Sequence, residues 1–242
     1  MNLQEALEAY QGTKLQPNQL SRYQKWAFSY FHDEDLVLNP NASITLQLDL
    51  VEARDVYESS FQNTKGASFQ VYLTWNLVKA LSLHWEFCTR KVNGEWYLFK
   101  NIPVYFPIAV GGENRFQNVI INDATLMDWG TFSKEYRNSI QKSKADIGAV
   151  PSLTWAICHV IGNLPALNFT SCQMHRGTMK AGRPIFYFGQ RYKLQQRLTV
   201  PLSITFDHAN ADPYVLNELI QTYQNLLGAD TLISQRNLVG KR

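Results

Sequence analysis

Cysteine is scarce in this chain: three residues in 242, Cys88, Cys158 and Cys172, with no C-x-x-C spacing. An odd count without paired spacing points to neither a disulfide framework nor a zinc site, and it fits a reducing cytoplasm. Glycine-rich turns are missing too. Gly111-Gly112 is the sole glycine pair, and neither G-x-G-x-x-G nor a P-loop surrounds it, so no phosphate cradle at a helix start is expected. The absence of G-x-S-x-G removes the nucleophile elbow of the α/β hydrolases. His32, His84, His159, His175 and His208 are dispersed, with no H-E-x-x-H or comparable spacing, so no metal site is expected. No run approaches eighteen apolar residues, and Met1-Asn2-Leu3-Gln4-Glu5 carries no basic segment followed by an apolar one. Neither a membrane span nor an export signal is therefore expected. Charge of one sign is lacking as well: 23 basic against 20 acidic residues leave +3, scattered along the chain. No basic stripe argues for nucleic acid.

What is present is the composition of a soluble globular protein, 45% hydrophobic and 18% charged, long enough to bury a substantial core. Strand and helix patterns interleave irregularly without a repeat or a linker, which predicts one α/β or α+β domain with a mixed sheet flanked by helices. Residues 21–242 form that domain, and residues 1–20 read as an N-terminal extension with a short helix over 3–10. Ile44, Leu46, Leu48 and Leu50 alternate with polar residues as in a half-buried strand. Phe69, Leu73, Leu77, Ala80 and Leu81 recur at helical spacing over 67–83. Asn93-Gly94 between 85–92 and 96–99 predicts a hairpin with a positive-φ turn. Further strands are expected near 104–109, 116–121 and 184–189. Helices are expected over 129–142, over 152–160, and from Asp212 to a stop at Gly228.

The chemistry-bearing stretch is His208-Ala209-Asn210-Ala211-Asp212, directly after the alternating run Thr199–Phe206. A strand end is a rigid mount, so His208 is a candidate general base. The plainer readings stand beside it. A lone histidine next to a strand is often a satisfied structural group, and Asp212 before Pro213 is a favourable helix start.

Five segments carry a family resemblance. Arg183-Pro184-Ile185-Phe186-Tyr187-Phe188-Gly189-Gln190, then Val200 to Asp212, then Asn217-Glu218-Leu219 resemble the C-terminal third of chloramphenicol acetyltransferases, whose fold is shared with dihydrolipoyl acyltransferase catalytic domains. Leu167-Asn168-Phe169-Thr170-Ser171 and Arg22-Tyr23-Gln24-Lys25-Trp26-Ala27-Phe28 resemble family segments further upstream. The resemblance implies a two-layer sandwich and an acyltransferase. In it, His208 takes the acceptor's proton and Ser171 donates to the oxyanion. Asp212, paired with Arg22, would hold the loop that bears His208. Asn168 and Tyr187 would line the substrate pocket. The donor implied is acyl-CoA or an acyl carrier protein thioester, without a metal. The partners implied are a small-molecule acceptor and two further copies in a homotrimer with sites at its interfaces. Three positions depart from the family pattern: Asp207 stands where many members have a second histidine, Pro213 replaces a glycine, and Tyr187 replaces a threonine. A catalytically degenerate relative acting as a trimeric binding or scaffold module is the competing reading.

Overall fold

The computed structural model describes residues 1–113, 115–142, 150–174 and 180–228; the expected domain's last residues, 229–242, lie outside them. The organising element is β10 (Arg197–Asp207), eleven residues long and buried from Thr199 to Asp207. Its even-numbered side chains, Val200, Leu202, Ile204 and Phe206, enter the main core, as strand alternation requires. β10 pairs antiparallel with β2 (Asn41–Asp49) along its whole length, from Thr199 opposite Asp49 to Asp207 opposite Asn41. On its other edge lie β8 (Ile185–Phe188) and the short β9 (Tyr192–Leu194). Beyond β8 come β7 (His159–Asn163), β5 (Val104–Gly111) and β6 (Arg115–Ile121), giving the order β2-β10-β8-β7-β5-β6. The β8–β7 and β7–β5 pairs are parallel and the others antiparallel. The expected mixed sheet flanked by helices is borne out.

Helices cover one face of this sheet. α4 (Phe69–Ser82) is buried almost all round, and α7 (Pro213–Leu227) lies against it with Leu216, Leu219, Ile220, Tyr223 and Leu227 turned inward. Two phenols tie the pair: Tyr223 donates to the Leu73 carbonyl at 3.0 Å and Tyr72 to the Leu227 carbonyl at 3.2 Å. A buried Tyr hydroxyl needs such a partner, so these bonds also fix the helices' axial register. α5 (Trp129–Lys142) and α3 (Val51–Val56), prolonged by a π turn over Tyr57–Phe61, complete this layer.

A second, three-stranded sheet has the order β1-β4-β3, from β1 (Gly12–Lys14), β4 (Glu95–Phe99) and β3 (Thr89–Val92). Its hairpin turns at Asn93 and Gly94, with φ of 50° and 83°, as the dipeptide predicts. The residues read as an extension are built into it: α1 (Leu3–Ala9) buries Ala6 beside Tyr10, Val92, Phe99 and Ile157, and β1 is an edge strand. Arg90, fully buried, joins the two sheets by donating to the carbonyls of Ile157, Phe87 and Thr89 and by meeting His159 Nδ1 at 3.2 Å. Burial, followed by the Arg90 charge, holds His159 well below the usual histidine range, so it stays neutral.

Two expectations are corrected. The helix predicted over 152–160 ends as α6 (Ser152–Ile157), and His159 begins β7, which is flanked on both sides by parallel strands. Its sequence, HVIGN, is too short for periodicity to tell it from the end of the preceding helix. Trp85–Cys88, expected as strand, forms a 3-10 turn because the chain leaving α4 must reverse before β3.

Gly162 sits under the Tyr187 ring, where an added Cβ would lie 2.1 Å from the nearest ring carbon. Gly162→Ala is expected to destabilise the protein by about 1–3 kcal/mol in chemical denaturation, the usual cost of overpacking. Tyr187→Ala in the same chain should remove most of that loss, whereas equal losses in both backgrounds would deny the close approach.

Candidate functional site

The odd-numbered side chains of β10 face away from the helices. Ser203 and Thr205 are buried there, and Thr205 shares a 2.9 Å hydroxyl bond with Ser43 of β2. At the strand's end Asp207 is 1% exposed, a position in which a carboxylate must be fully compensated. Its Oδ2 lies 2.8 Å from His32 Nε2, and its Oδ1 accepts from the Ala209 amide at 2.9 Å. The Ala211 amide donates to the Asp207 carbonyl at 3.1 Å, which closes the turn. The His208 amide donates to the Pro40 carbonyl at 2.8 Å. Asn210, buried, sends its amide to Thr89 and to the Gly182 carbonyl. The turn that carries His208 is thereby fastened at four places.

The His208 ring is partly buried. It lies flat on Phe31, with centroids 4.4 Å apart and planes 16° apart, and Phe206 lies at 6.4 Å. Its Nδ1 is buried and has no hydrogen-bond partner among the described residues. A base acting through Nε2 needs its proton on Nδ1, so the ring's orientation rests on stacking rather than on a bond at that nitrogen. Phe31 follows α2 (Arg22–Tyr30), whose exposed face bears Tyr23, Trp26 and Tyr30 in a ladder of rings 5.6 and 5.1 Å apart.

Asp212 is the N-cap of α7, accepting from the Val215 amide at 2.9 Å. Among the described residues it forms no ion pair, and Arg22 forms none either. The residue that reaches Asp212 is Tyr23, whose phenol is held above its ordinary range first by burial and then by the charge of, and hydrogen bond to, Asp212. The expected strut between Arg22 and Asp212 is thus absent within one chain, and Pro213 at the first helical position favours the cap.

Ser171 and Asn168 are exposed, on a segment that crosses the outer face of β2 and β10. The next residue, Cys172, donates its amide to Thr45 Oγ1 at 3.4 Å and accepts from Ser203 Oγ at 2.5 Å. Ser203 and His208 are five residues apart along an extended strand, about 16 Å at the usual rise. One chain therefore does not bring Ser171 to His208. Tyr187, opposite Ser203 in register, lies over Gly162; burial, followed by Cys172, keeps its phenol protonated beyond the usual range. His32, Asp207 and Asn210 escaped the sequence reading as site residues. His32 lies 175 residues from Asp207, and its sole local signal was the aromatic run Trp26–Phe31 before it.

A separate cleft of about 600 Å³ opens at the other end of β10, lined in part by Arg54, Arg191, Lys193 and Arg197 with Asp55 and Glu58. Burial, followed by the Arg54 charge, lowers the Arg191 pKa, and both guanidiniums lie over the Phe69 ring at 5.0 and 5.6 Å. No cluster of three or more His, Cys, Asp or Glu side chains suited to a metal occurs among the described residues, and no helix there is long and apolar enough to cross a membrane.

With this geometry in view, the chain has the fold of the chloramphenicol acetyltransferases and of dihydrolipoamide acyltransferase catalytic domains. One solved structure, a chloramphenicol acetyltransferase, superposes with a TM-score of 0.74 at 20% identity over 89% of this chain and 99% of that one. A probable dihydrolipoamide acetyltransferase from Listeria monocytogenes gives 0.56 at 14% identity, over 89% and 94%. A dihydrolipoamide acetyltransferase from Azotobacter vinelandii gives 0.58 at 14%, over 91% and 93%. No family model matches the chain, and no curated protein matches it in sequence.

Replacing Asp212 by Ala is expected to cost about 1 kcal/mol and by Asn much less, as for other helix caps. Arg22→Lys should change stability by less than about 0.5 kcal/mol, as at a surface position without partners. Thermal denaturation of the three variants checks this; a large loss for Arg22→Lys alone would restore the strut.

Proposed function

We propose that the chain is an acyltransferase in which His208 is the general base. The observation that carries this reading is the mount of His208: an imidazole at the end of a strand buried on both faces, in a turn fastened by Pro40, Asp207 and Asn210. A hydroxyl or amine acceptor gives its proton to His208 as its oxygen or nitrogen attacks the carbonyl carbon of an acyl thioester. The tetrahedral intermediate collapses by breaking the carbon–sulfur bond, and the proton on His208 passes to the departing thiolate. Ester or amide and free thiol result, with no acyl-enzyme. Ser171 donates to the oxyanion.

In this reading a homotrimer supplies what one chain lacks: since Ser171 precedes Cys172, which is tied to Ser203 about 16 Å along β10 from His208, Ser171 comes from a neighbouring copy. The fold likeness supports the reaction class, and in the Azotobacter enzyme a serine, a histidine and an asparagine four positions after it have been studied for roles in catalysis. His208 and Asp212 share that spacing, with Asp212 as the supporting cap. Asn168 and Tyr187 line the pocket on the Ser171 side. The cations of the cleft at Arg191 suit the phosphates of coenzyme A, which favours acyl-CoA over a carrier-protein thioester as donor, with a small molecule as acceptor. The competing reading, a catalytically silent trimeric scaffold, gains from the distance between Ser171 and His208 within one chain.

Incubated with acetyl-CoA and a panel of alcohols and amines, the protein is expected to release free thiol. His208→Ala should lower that rate by about 10²–10⁴ and Ser171→Ala by about 10² or more. After subunit exchange, mixing the two variants should recover part of the activity, because some interfaces then carry both intact residues. Thiol release unchanged in His208→Ala would refute the base, and no recovery on mixing would refute the shared site.

A further inference from the structure

Two adjacent residues of the loop after α2 meet two adjacent residues at the end of β10. Phe31 stacks on His208 at 4.4 Å, and His32 Nε2 meets Asp207 Oδ2 at 2.8 Å, with both side chains of the second pair 2% exposed or less. Trp96 of β4 backs the loop: its ring meets His32 edge-on at 5.0 Å and stacks with Phe28 at 4.3 Å. The two rungs share one backbone on each side, so the length of the His32–Asp207 bond fixes how far the Phe31 ring stands from the imidazole. An apolar pair would fill the same space without the desolvation cost of a buried carboxylate, and without specifying a single register. His208 has no bond at Nδ1 to hold its plane, so the Phe31 face is what limits its rotation.

We propose that His32 and Asp207 are positioning residues that hold Phe31 against His208 and so set the plane of the catalytic imidazole. The proposal rests on the acyltransferase reading for its consequence in rate, but not for its geometry. Among the described residues, neither side chain hydrogen-bonds the His208 ring; the effect passes through Phe31 on one side and the strand end on the other. Because the acceptor's proton must lie in line with Nε2, a misplacement of about 1 Å costs on the order of 10²-fold in rate.

The test compares His32→Leu, which fills the space but cannot bond, with His32→Gln, which keeps a donor. The first readout is the NMR shift of the His208 ring protons, identified by their loss in His208→Ala. In the wild type the Phe31 ring current displaces them from the free-histidine position. His32→Leu should move them back toward it and lower kcat by about 10- to 100-fold with KM changed less than about twofold. His32→Gln should leave the shifts near wild type and keep most of kcat. Where His32→Leu fails to fold, Asp207→Asn takes its place and should give a smaller displacement of the same sign. Ring protons that stay put in a folded His32→Leu or Asp207→Asn protein would overturn the clamp whatever the activity. Conversely, displaced ring protons together with thiol release indifferent to His208→Ala would uphold the clamp and sink the acyltransferase reading.

Discussion

The buried carboxylate of Asp207 is the constraint around which the candidate site is organised. A carboxylate taken out of water at the end of a strand must find its hydrogen bonds within the protein, and here they come from His32 and from the Ala209 amide. One bond recruits the loop after α2, which brings Phe31 with it; the other bends the chain into the turn that presents His208. The same side chain therefore decides both what the imidazole stacks on and where it stands. Were that position apolar, sheet and helix could still pack, but nothing would select this one closure of the loop over its neighbours.

Burial on both faces gives β10 two separate tasks. Its even positions supply Val200, Leu202, Ile204 and Phe206 to the core shared with α4 and α7, and its odd positions Ser203 and Thr205 supply hydroxyls that bind a backbone carbonyl and a neighbouring hydroxyl. A polar face can be buried at low cost because each hydroxyl is small and bonded: Thr205 to Ser43, Ser203 to the Cys172 carbonyl. The segment that bears Ser171 is thus anchored by the same strand that carries His208, and the strand's rigidity sets the separation of the two residues within one chain. Asn210 extends the principle to the small sheet, since its amide binds Thr89 of β3 and Gly182.

Local signals in the sequence were reliable wherever a pattern has one geometric meaning. Alternation over 199–206, Asn93-Gly94, Asp212-Pro213 as a helix start and Gly228 as its stop all specify short-range geometry and match β10, the β3–β4 turn and α7. β7 was illegible because its five residues, His159 to Asn163, carry only Val160 and Ile161 as a branched apolar pair, too short to show a period of two, and it follows α6 after the single residue Cys158. The site was legible only in part. His208 was a candidate from its place after a strand, but Asp207 read only as a departure from the family pattern. Its partner His32 stands 175 residues away with no spacing to mark it, and no periodicity encodes a contact of that range. For Arg22, the resemblance implies an ion pair, whereas among the described residues Asp212 caps α7 through the Val215 amide and interacts with the neighbouring Tyr23.

The departures at Asp207 and Pro213 then belong together. Proline at 213 favours Asp212 as a cap by presetting φ and having no amide to leave unpaired, and the cap engages one carboxylate oxygen, while Asp207 binds the loop after α2. Asp207, one residue before the histidine instead of four after it, reaches His32 in the loop after α2. The Asp212 cap from the helix side and the His32–Asp207 bond from the loop side therefore act on the same strand end, and with it on the position of His208.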